Sequence, residues 1–148
     1  MNLLGFNFTK ISAEKDLKFD YSDIKTNIEF TNIEKDEIPF LKDAEAIKVF
    51  FKFTVEYNKK IEKEEKKEVQ GKLVFEGIVL LSSEKDESKE IIKSWKNKEL
   101  PQKIKTPLFN LILKKCSIKA VSLEEDLDLP THFPFPRAQS ELKNNKPK

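Results

Sequence analysis

Residues 47–57 read IKVFFKFTVEY, and this stretch decides the fold. Every odd-numbered position in it is apolar or aromatic, whereas the even-numbered positions are polar except for Phe50. An alternation with period two predicts a β-strand that turns one face towards a core and the other towards solvent. The chain is therefore predicted to be built around a β-sheet in which this strand is central.

Three further strands are predicted around it. Residues 4–21 alternate in the same way, but the phase changes after Ile11, which predicts one strand with a bulge. Residues 24–31 form the second strand and residues 73–81 the fourth, whose distal half is apolar on both faces and is therefore predicted to be covered on both sides. Residues 58–68, nearly all Lys and Glu, are predicted to be a solvated hairpin between the third and fourth strands.

The apolar period changes to a helical one after the fourth strand. Ser83 is the predicted N-cap of a short helix that carries Ile91, Ile92 and Trp95 at helical spacing. A linker follows, and Thr106-Pro107 is the predicted start of a long helix. The long helix has a wide apolar stripe formed by Leu108, Phe109, Ile112, Leu113, Cys116, Ala120 and Leu123.

The last part of the chain is predicted to be extended and then disordered. Residues 127–136 contain three prolines together with Leu129, Phe133 and Phe135, so they are predicted to lie extended across the body of the protein. Residues 137–148 are polar and are predicted to be a disordered tail. We therefore expect a single domain over residues 1–136.

Few residues of the kind that catalysis uses are present. His132 is the single histidine, and a nucleophile–base pair would need it, or a carboxylate, beside Ser, Thr or Cys. It is predicted to be a surface or packing histidine, and Cys116, the single cysteine, a buried apolar residue. One cysteine and one histidine cannot form the common zinc sets. We expect no enzymatic activity, no metal and no cofactor.

The compartment and the charge limit the partners further. The N-terminal residues show no signal peptide, and no apolar stretch is long enough to span a bilayer, so a cytoplasmic protein without membrane insertion is expected. A net charge of +2 predicts no strong field for nucleic acid. A local lysine cluster in the predicted linker and long helix keeps a nucleic-acid-binding domain as the third hypothesis, although the cluster lacks arginine; its members are Lys103, Lys105, Lys114, Lys115 and Lys119.

Several segments resemble those of SecB, the bacterial protein-export chaperone. Residues 6–19 look like the first strand of that family, and Val74-Phe75-Glu76-Gly77-Ile78 looks like its glycine-containing fourth strand. Leu100-Pro101 through Thr106-Pro107-Leu108-Phe109, continuing to Cys116 and residues 120–122, is similar to the family's linker and long helix. Leu127-Asp128-Leu129-Pro130 and Phe133 are similar to its closing segment.

This resemblance implies a fold class and an assembly. The fold would be α+β, a four-stranded antiparallel sheet with a short and a long C-terminal helix on one face. The family associates through first strands and long helices, so a homo-oligomer, either a dimer or a dimer of dimers, is expected. The implied activity is that of an ATP-independent chaperone, which binds unfolded or precursor polypeptides on hydrophobic grooves and keeps them competent for export.

Candidate polypeptide-binding residues are apolar side chains near loops and linkers. For each of them an ordinary core or subunit contact is the alternative. They are Phe40, Leu41, Trp95, Leu108, Phe109, Phe133 and Phe135.

One departure from the family concerns its motor protein. SecB proteins are typically acidic and pass cargo to SecA through an acidic surface, whereas this chain has a net charge of +2 and ends in a lysine-containing tail. An interaction with SecA is therefore doubtful. A client-specific adaptor, such as the SecB relatives that guard an antitoxin, is the second hypothesis.

Overall fold

The computed structural model describes residues 2–36, 44–61, 66–136 and 138. Four long strands come first: β1 (Asn2–Lys15), β2 (Asp23–Asp36), β3 (Ala44–Ile61) and β4 (Lys66–Glu84). Two helices follow: α1 (Lys85–Trp95) and α2 (Gln102–Asp126). The strands form one antiparallel sheet in the order β1-β4-β3-β2. The predicted α+β fold, with four antiparallel strands followed by a short and a long helix, is confirmed.

The core lies on one face of the sheet, as the alternation in residues 47–57 predicts. All six odd-numbered side chains of that stretch are buried. Ile91 of α1 and Ile112 and Cys116 of α2 belong to the same core cluster, so both helices cover this face. The opposite face of β4 has no helix over it in the described chain, and Ile78 and Leu80 remain partly exposed there. The prediction that this part of β4 is covered on both sides is therefore wrong for the described residues.

The first strand is shorter than predicted. It ends at Lys15, and the pairing of β1 with β4 shifts between Phe8 and Lys10, before the point that the sequence indicated. This shift places Ile11 opposite Phe75, and the Ile11 side chain stays 45% exposed at this edge of the sheet. Residues 16–22 form no strand, because they leave the sheet edge at this point. Phe19 and Tyr21 of this segment pack on the core, with their rings 5.8 and 6.1 Å from that of Tyr57.

Both helices begin at a different residue from the one predicted. Ser83 still belongs to β4, and Glu84 is the N-cap of α1 without a side-chain hydrogen bond to the helix. The long helix α2 starts directly after Pro101, and Pro107 lies inside it. Pro107 therefore removes the hydrogen bond that a residue there would make to the carbonyl of Lys103, and α2 accommodates this loss in its second turn.

Residues 127–136 contain no helix or strand, and they begin with a turn at residues 127 and 128. That residues 1–136 form a single domain stays a prediction. The same holds for the disordered tail, since residue 138 is the one position of residues 137–148 within the described part of the chain.

Candidate functional site

Residues 127–136, here called the strap, turn back from the end of α2 towards the sheet. Asp128 adopts a left-handed backbone conformation with φ of 54°, which Asp tolerates better than most residues. The Leu129 N–H then donates to the carbonyl of Glu124 at 2.7 Å, and the Leu129 side chain is buried in the core. The turn thus brings the following residues of the strap back beside α2.

A buried polar network fixes the strap to α2 and β3. The carboxylate of Glu124 is fully buried and accepts a hydrogen bond from the Tyr57 hydroxyl. It also accepts one from His132, whose Nδ1 lies 3.0 and 3.1 Å from the two carboxylate oxygens. The Tyr57 hydroxyl lies 2.7 Å from the Pro130 carbonyl, and His132 Nε2 lies 3.1 Å from Ser117 Oγ. Each buried polar side chain of the network therefore has a partner, as burial requires.

Burial changes the acidity of two groups in this region. Desolvation, together with the hydrogen bond to Glu124, raises the pKa of Tyr57 far above its ordinary value. Desolvation alone raises the pKa of the Cys116 thiol to about 12. The thiolate is thus disfavoured at neutral pH, and the prediction that Cys116 is a buried apolar residue is confirmed.

Ser117, His132 and Glu124 stand in the order of a nucleophile, a base and an orienting acid. The prediction of a surface or packing histidine is therefore incomplete, because both ring nitrogens of His132 have polar partners. Ser117, however, lies in the middle of α2, where the backbone N–H groups bond within the helix and cannot form an oxyanion hole. The arrangement is suited to positioning the strap rather than to stabilising a tetrahedral intermediate.

An open cavity of about 470 Å³ lies beside this network, and we call it the strap groove. Its walls come from β2, α2 and the strap, and its lining residues are Thr26, Asn110, Leu113, Lys114, Ser117, His132 and Phe133. The Phe133 ring packs at 4.8 Å from the His132 ring and at 5.0 Å from the Phe135 ring. Phe133 and Phe135 remain 36% and 48% exposed, so they form an accessible aromatic edge.

A second, smaller cavity of about 290 Å³ lies at the start of α2. It separates the first turns of α2 from the ends of β1 and β4, and it is lined by Leu3, Leu81, Lys103, Ile104, Pro107, Leu108 and Leu111. Leu108 is 4% exposed and belongs to the core, so it forms the floor of this cavity.

The structure separates the predicted site residues. Phe133 lines the strap groove, and Phe135 packs on it. Leu108 lines the smaller cavity instead, and Phe109, the next residue, is half-buried. Phe40 and Leu41 lie outside the described residues. The predicted set therefore does not form one continuous surface in the described chain.

Trp95 lies apart from both cavities, at the end of α1. It is partly buried against the core, and Lys98 Nζ lies 5.0 Å from the centre of its ring. Its buried indole N–H meets no hydrogen-bond acceptor among the described residues.

Sequence reasoning missed the polar wall of the strap groove. Asn110, Lys114 and Ser117 recur at four- and three-residue spacing along α2, next to the apolar stripe. That spacing places them on one flank of the helix and could have indicated the wall. The partnership of Tyr57 with Glu124 had no such signal, because the two residues are 67 positions apart in sequence.

Two general properties complete the description of the site. No group of His, Cys, Asp and Glu side chains within the described residues could hold a metal ion. Neither of the described helices is long and apolar enough to cross a membrane.

Comparisons with known proteins found a solved structure of similar fold. No protein-family model matches the chain, and no curated protein matches it in sequence. The chain is similar to the solved structure of a SecB-like chaperone of Mycobacterium tuberculosis in complex with a peptide from an antitoxin. The similarity covers 94% of this chain and 91% of that chain, with a TM-score of 0.43 and 9% sequence identity.

Proposed function

We propose that this chain is an ATP-independent chaperone that holds non-native polypeptide in an extended form. The observation that carries the proposal is the strap groove, where Leu113 and Phe133 line an open cavity and stay partly exposed, with Phe135 against the Phe133 ring. The groove also borders β2, which is an edge strand of the sheet. An extended polypeptide offers apolar side chains for the cavity and backbone groups for the free strand edge.

The expected binding is weak at each contact and gains strength by repetition. A half-exposed aromatic edge buries little surface on its own, but one unfolded chain can occupy several grooves at once. Binding of this kind needs no nucleotide and no chemical reaction. We therefore infer a binding protein rather than an enzyme, with the Ser117–His132–Glu124 arrangement serving to position the strap.

The test is suppression of aggregation. A chemically denatured test protein is diluted into buffer with the full chain, without nucleotide, and light scattering is followed. Suppression at near-stoichiometric ratio is expected. The double variant L113S/F133S should suppress less, whereas the matched variant L17S/V69S, which removes two exposed apolar side chains elsewhere, should act like wild type. Lack of suppression by wild type across several denatured proteins would refute the proposal.

We also propose that the chain works as a homo-oligomer. β1 is the other edge strand, and the exposed apolar residues Leu3, Leu4 and Ile11 lie along it. On α2, Ile118 is 66% exposed although it is apolar. Exposed apolar side chains beside a free strand edge favour association. Sedimentation should give a mass of at least two chains, and a species of 17.3 kDa alone would contradict the assembly.

A more specific proposal concerns which polypeptides the chain holds and for which cellular process. We retain export-related or general folding assistance in the cytoplasm, and a single dedicated client such as an antitoxin is the alternative. Co-purification from cells separates them, since one dominant partner favours the dedicated client and many unfolded chains favour general holding. We expect no SecA in either set, because this chain has a net charge of +2 whereas the SecB proteins that pass cargo to SecA are typically acidic.

A further inference from the structure

The short helix α1 separates its charges onto two flanks. Lys85, Lys89, Lys93 and Lys96 recur at intervals of four, four and three residues, which places them on one flank. Ser88 and Ile91 are buried and mark the face towards the core. Glu90 lies on the other side, where its carboxylate is 3.6 Å from Lys103 of α2. The helix therefore presents a row of lysines, and Asp86 in the first turn is the carboxylate of α1 that lies beside it.

This row forms one wall of a groove beside the sheet. Its volume is about 350 Å³, and its lining residues are Lys35, Ser88, Lys89, Ile92, Lys93 and Lys96. Lys35 comes from β2, so the groove runs between α1 and the edge strand of the sheet. Ile92 packs partly against the core and supplies an apolar floor. We call this cavity the lysine groove.

The carboxylates near the lysine groove do not neutralise it. Glu45 lies 2.8 Å from Lys35, and the hydrogen bonds to Lys35 and Ser88, with the nearby charge of Lys85, lower the pKa of Glu45. Glu45 thus offsets the charges of Lys35 and Lys85 at one end of the groove. Asp36 lies 3.4 Å from Lys48, on the neighbouring strand. Within the described chain, Lys89, Lys93 and Lys96 form no ion pair, so three positive charges face the groove without a partner carboxylate.

We propose that the lysine groove binds an acidic, extended segment of a partner polypeptide in which carboxylates alternate with apolar residues. Four residues of an α-helix advance by about 6 Å. Two residues of an extended chain advance by about 6.6 Å. Acidic side chains at every second position of the partner can therefore meet successive lysines of α1, while the residues between them contact Ile92 or the exposed edge of β2.

A polypeptide fits this groove better than a nucleic acid does. No aromatic side chain lines it, so nothing in it can stack on a base. Its cations are lysines, which lack the planar fork that arginine offers to phosphate. The net charge of +2 also gives little long-range attraction for a polyanion.

This inference rests on the proposed function and specifies which clients are held most tightly. The strap groove selects apolar and aromatic side chains, whereas the lysine groove adds a preference for negative charge. Both grooves border β2, one from α2 and the strap and the other from α1. Segments that are both apolar and acidic should therefore be the preferred clients.

The experiment compares two labelled peptides by fluorescence anisotropy with the full chain. One 12-residue peptide alternates Glu or Asp with Leu or Val, and the other replaces each acidic residue by Lys. The acidic peptide should bind at least about tenfold more tightly at low salt, and the difference should shrink as salt is added. The variant K89E/K93E/K96E should weaken binding of the acidic peptide by about tenfold, because three individually weak pairs are lost together.

Two further variants keep the result interpretable. K89Q/K93Q/K96Q removes the charges without adding new ones and should fall between wild type and the charge reversal. K10E/K66E/K105E changes the net charge equally at exposed lysines away from the groove and should leave binding within about twofold of wild type. Equal binding of both peptides, or equal weakening by the two charge reversals, would overturn the inference. Tighter binding of a single-stranded oligonucleotide than of the acidic peptide would overturn it as well.

Failure of this inference can be told apart from failure of the proposed function. If the inference alone is wrong, wild type still suppresses aggregation of denatured test proteins, and the α1 variants suppress it equally well. If the proposed function is wrong, suppression is absent in wild type whatever the peptides show.

Discussion

The two ends of α2 reach the same sheet by opposite chemistry. Near its start, Ile104, Leu108 and Ile112 pack on the sheet through apolar contacts. Near its end, the fully buried Glu124 meets Tyr57 and His132 through hydrogen bonds. Apolar contacts tolerate small shifts, whereas a buried carboxylate requires its partners in place. The first end therefore contributes mainly to the stability of the fold, and the second determines where the strap and its aromatic edge lie.

The largest effect is expected at the polar end. Glu124→Ala leaves the buried His132 ring without its acceptor and the Tyr57 hydroxyl with the Pro130 carbonyl alone, and it empties a fully buried site. The free energy of unfolding should therefore fall by about 3–5 kcal/mol. Urea denaturation measures the loss. Limited proteolysis should also cut residues 127–136 under native conditions, because the strap has lost its attachment. Glu125→Ala, at the exposed neighbour, should change stability by about 0.5 kcal/mol or less. A strap that stays protected in Glu124→Ala would show that apolar contacts alone hold it.

The apolar end should respond differently to truncation. Ile112→Ala removes a fully buried side chain and should cost about 2–5 kcal/mol, by lost burial and the cavity left behind. Below the unfolding transition, however, the strap should stay as protected from protease as in wild type. Leu113→Ala, one position along on the exposed side of α2, is the matched control and should cost about 1 kcal/mol or less. Early cleavage of the strap in Ile112→Ala would remove the distinction between the two ends.

Alkaline pH should lower the stability of the fold through Cys116, which lies on α2 between these two ends. Burial raises the pKa of its thiol to about 12 in the folded protein, whereas the unfolded chain releases that proton at about 8.5. The contribution of the buried neutral thiol to the free energy of unfolding is therefore fully present below about pH 8.5. It is lost as the pH rises towards 12, by at most about 1.4 kcal/mol per pH unit. Urea denaturation at pH 8, 9 and 10 should show this decline in wild type and a flatter profile in Cys116→Ala. Tyr57, whose pKa is also raised, adds a similar loss only above pH 10.

The same contrast explains what the sequence could predict. Alternation in residues 47–57 and the helical spacing around Ile112 depend on local period, so the sheet, its core face and the two helices follow from the sequence. Helix starts were less accurate: Pro107 is a strong start signal, yet α2 begins earlier because Pro101 precedes it. The network of Glu124 with Tyr57 and His132 depends on how distant segments meet. No local pattern could indicate it, and the site therefore needed the structure.

The smallest effect is expected at the exposed aromatic edge of the strap. Phe135 is 48% exposed, and its ring lies 5.0 Å from the Phe133 ring. Phe135→Ala should therefore change the free energy of unfolding by about 0.5 kcal/mol or less. If the edge contacts client polypeptide, the same variant should weaken client binding by about two- to fivefold, because one aromatic contact is lost. Anisotropy with a labelled unfolded polypeptide measures this, and Pro134→Ala, which keeps both rings, is the matched control. Unchanged binding in Phe135→Ala would confine the aromatic edge to a structural role, and the contrast between the two ends of α2 would then concern stability alone.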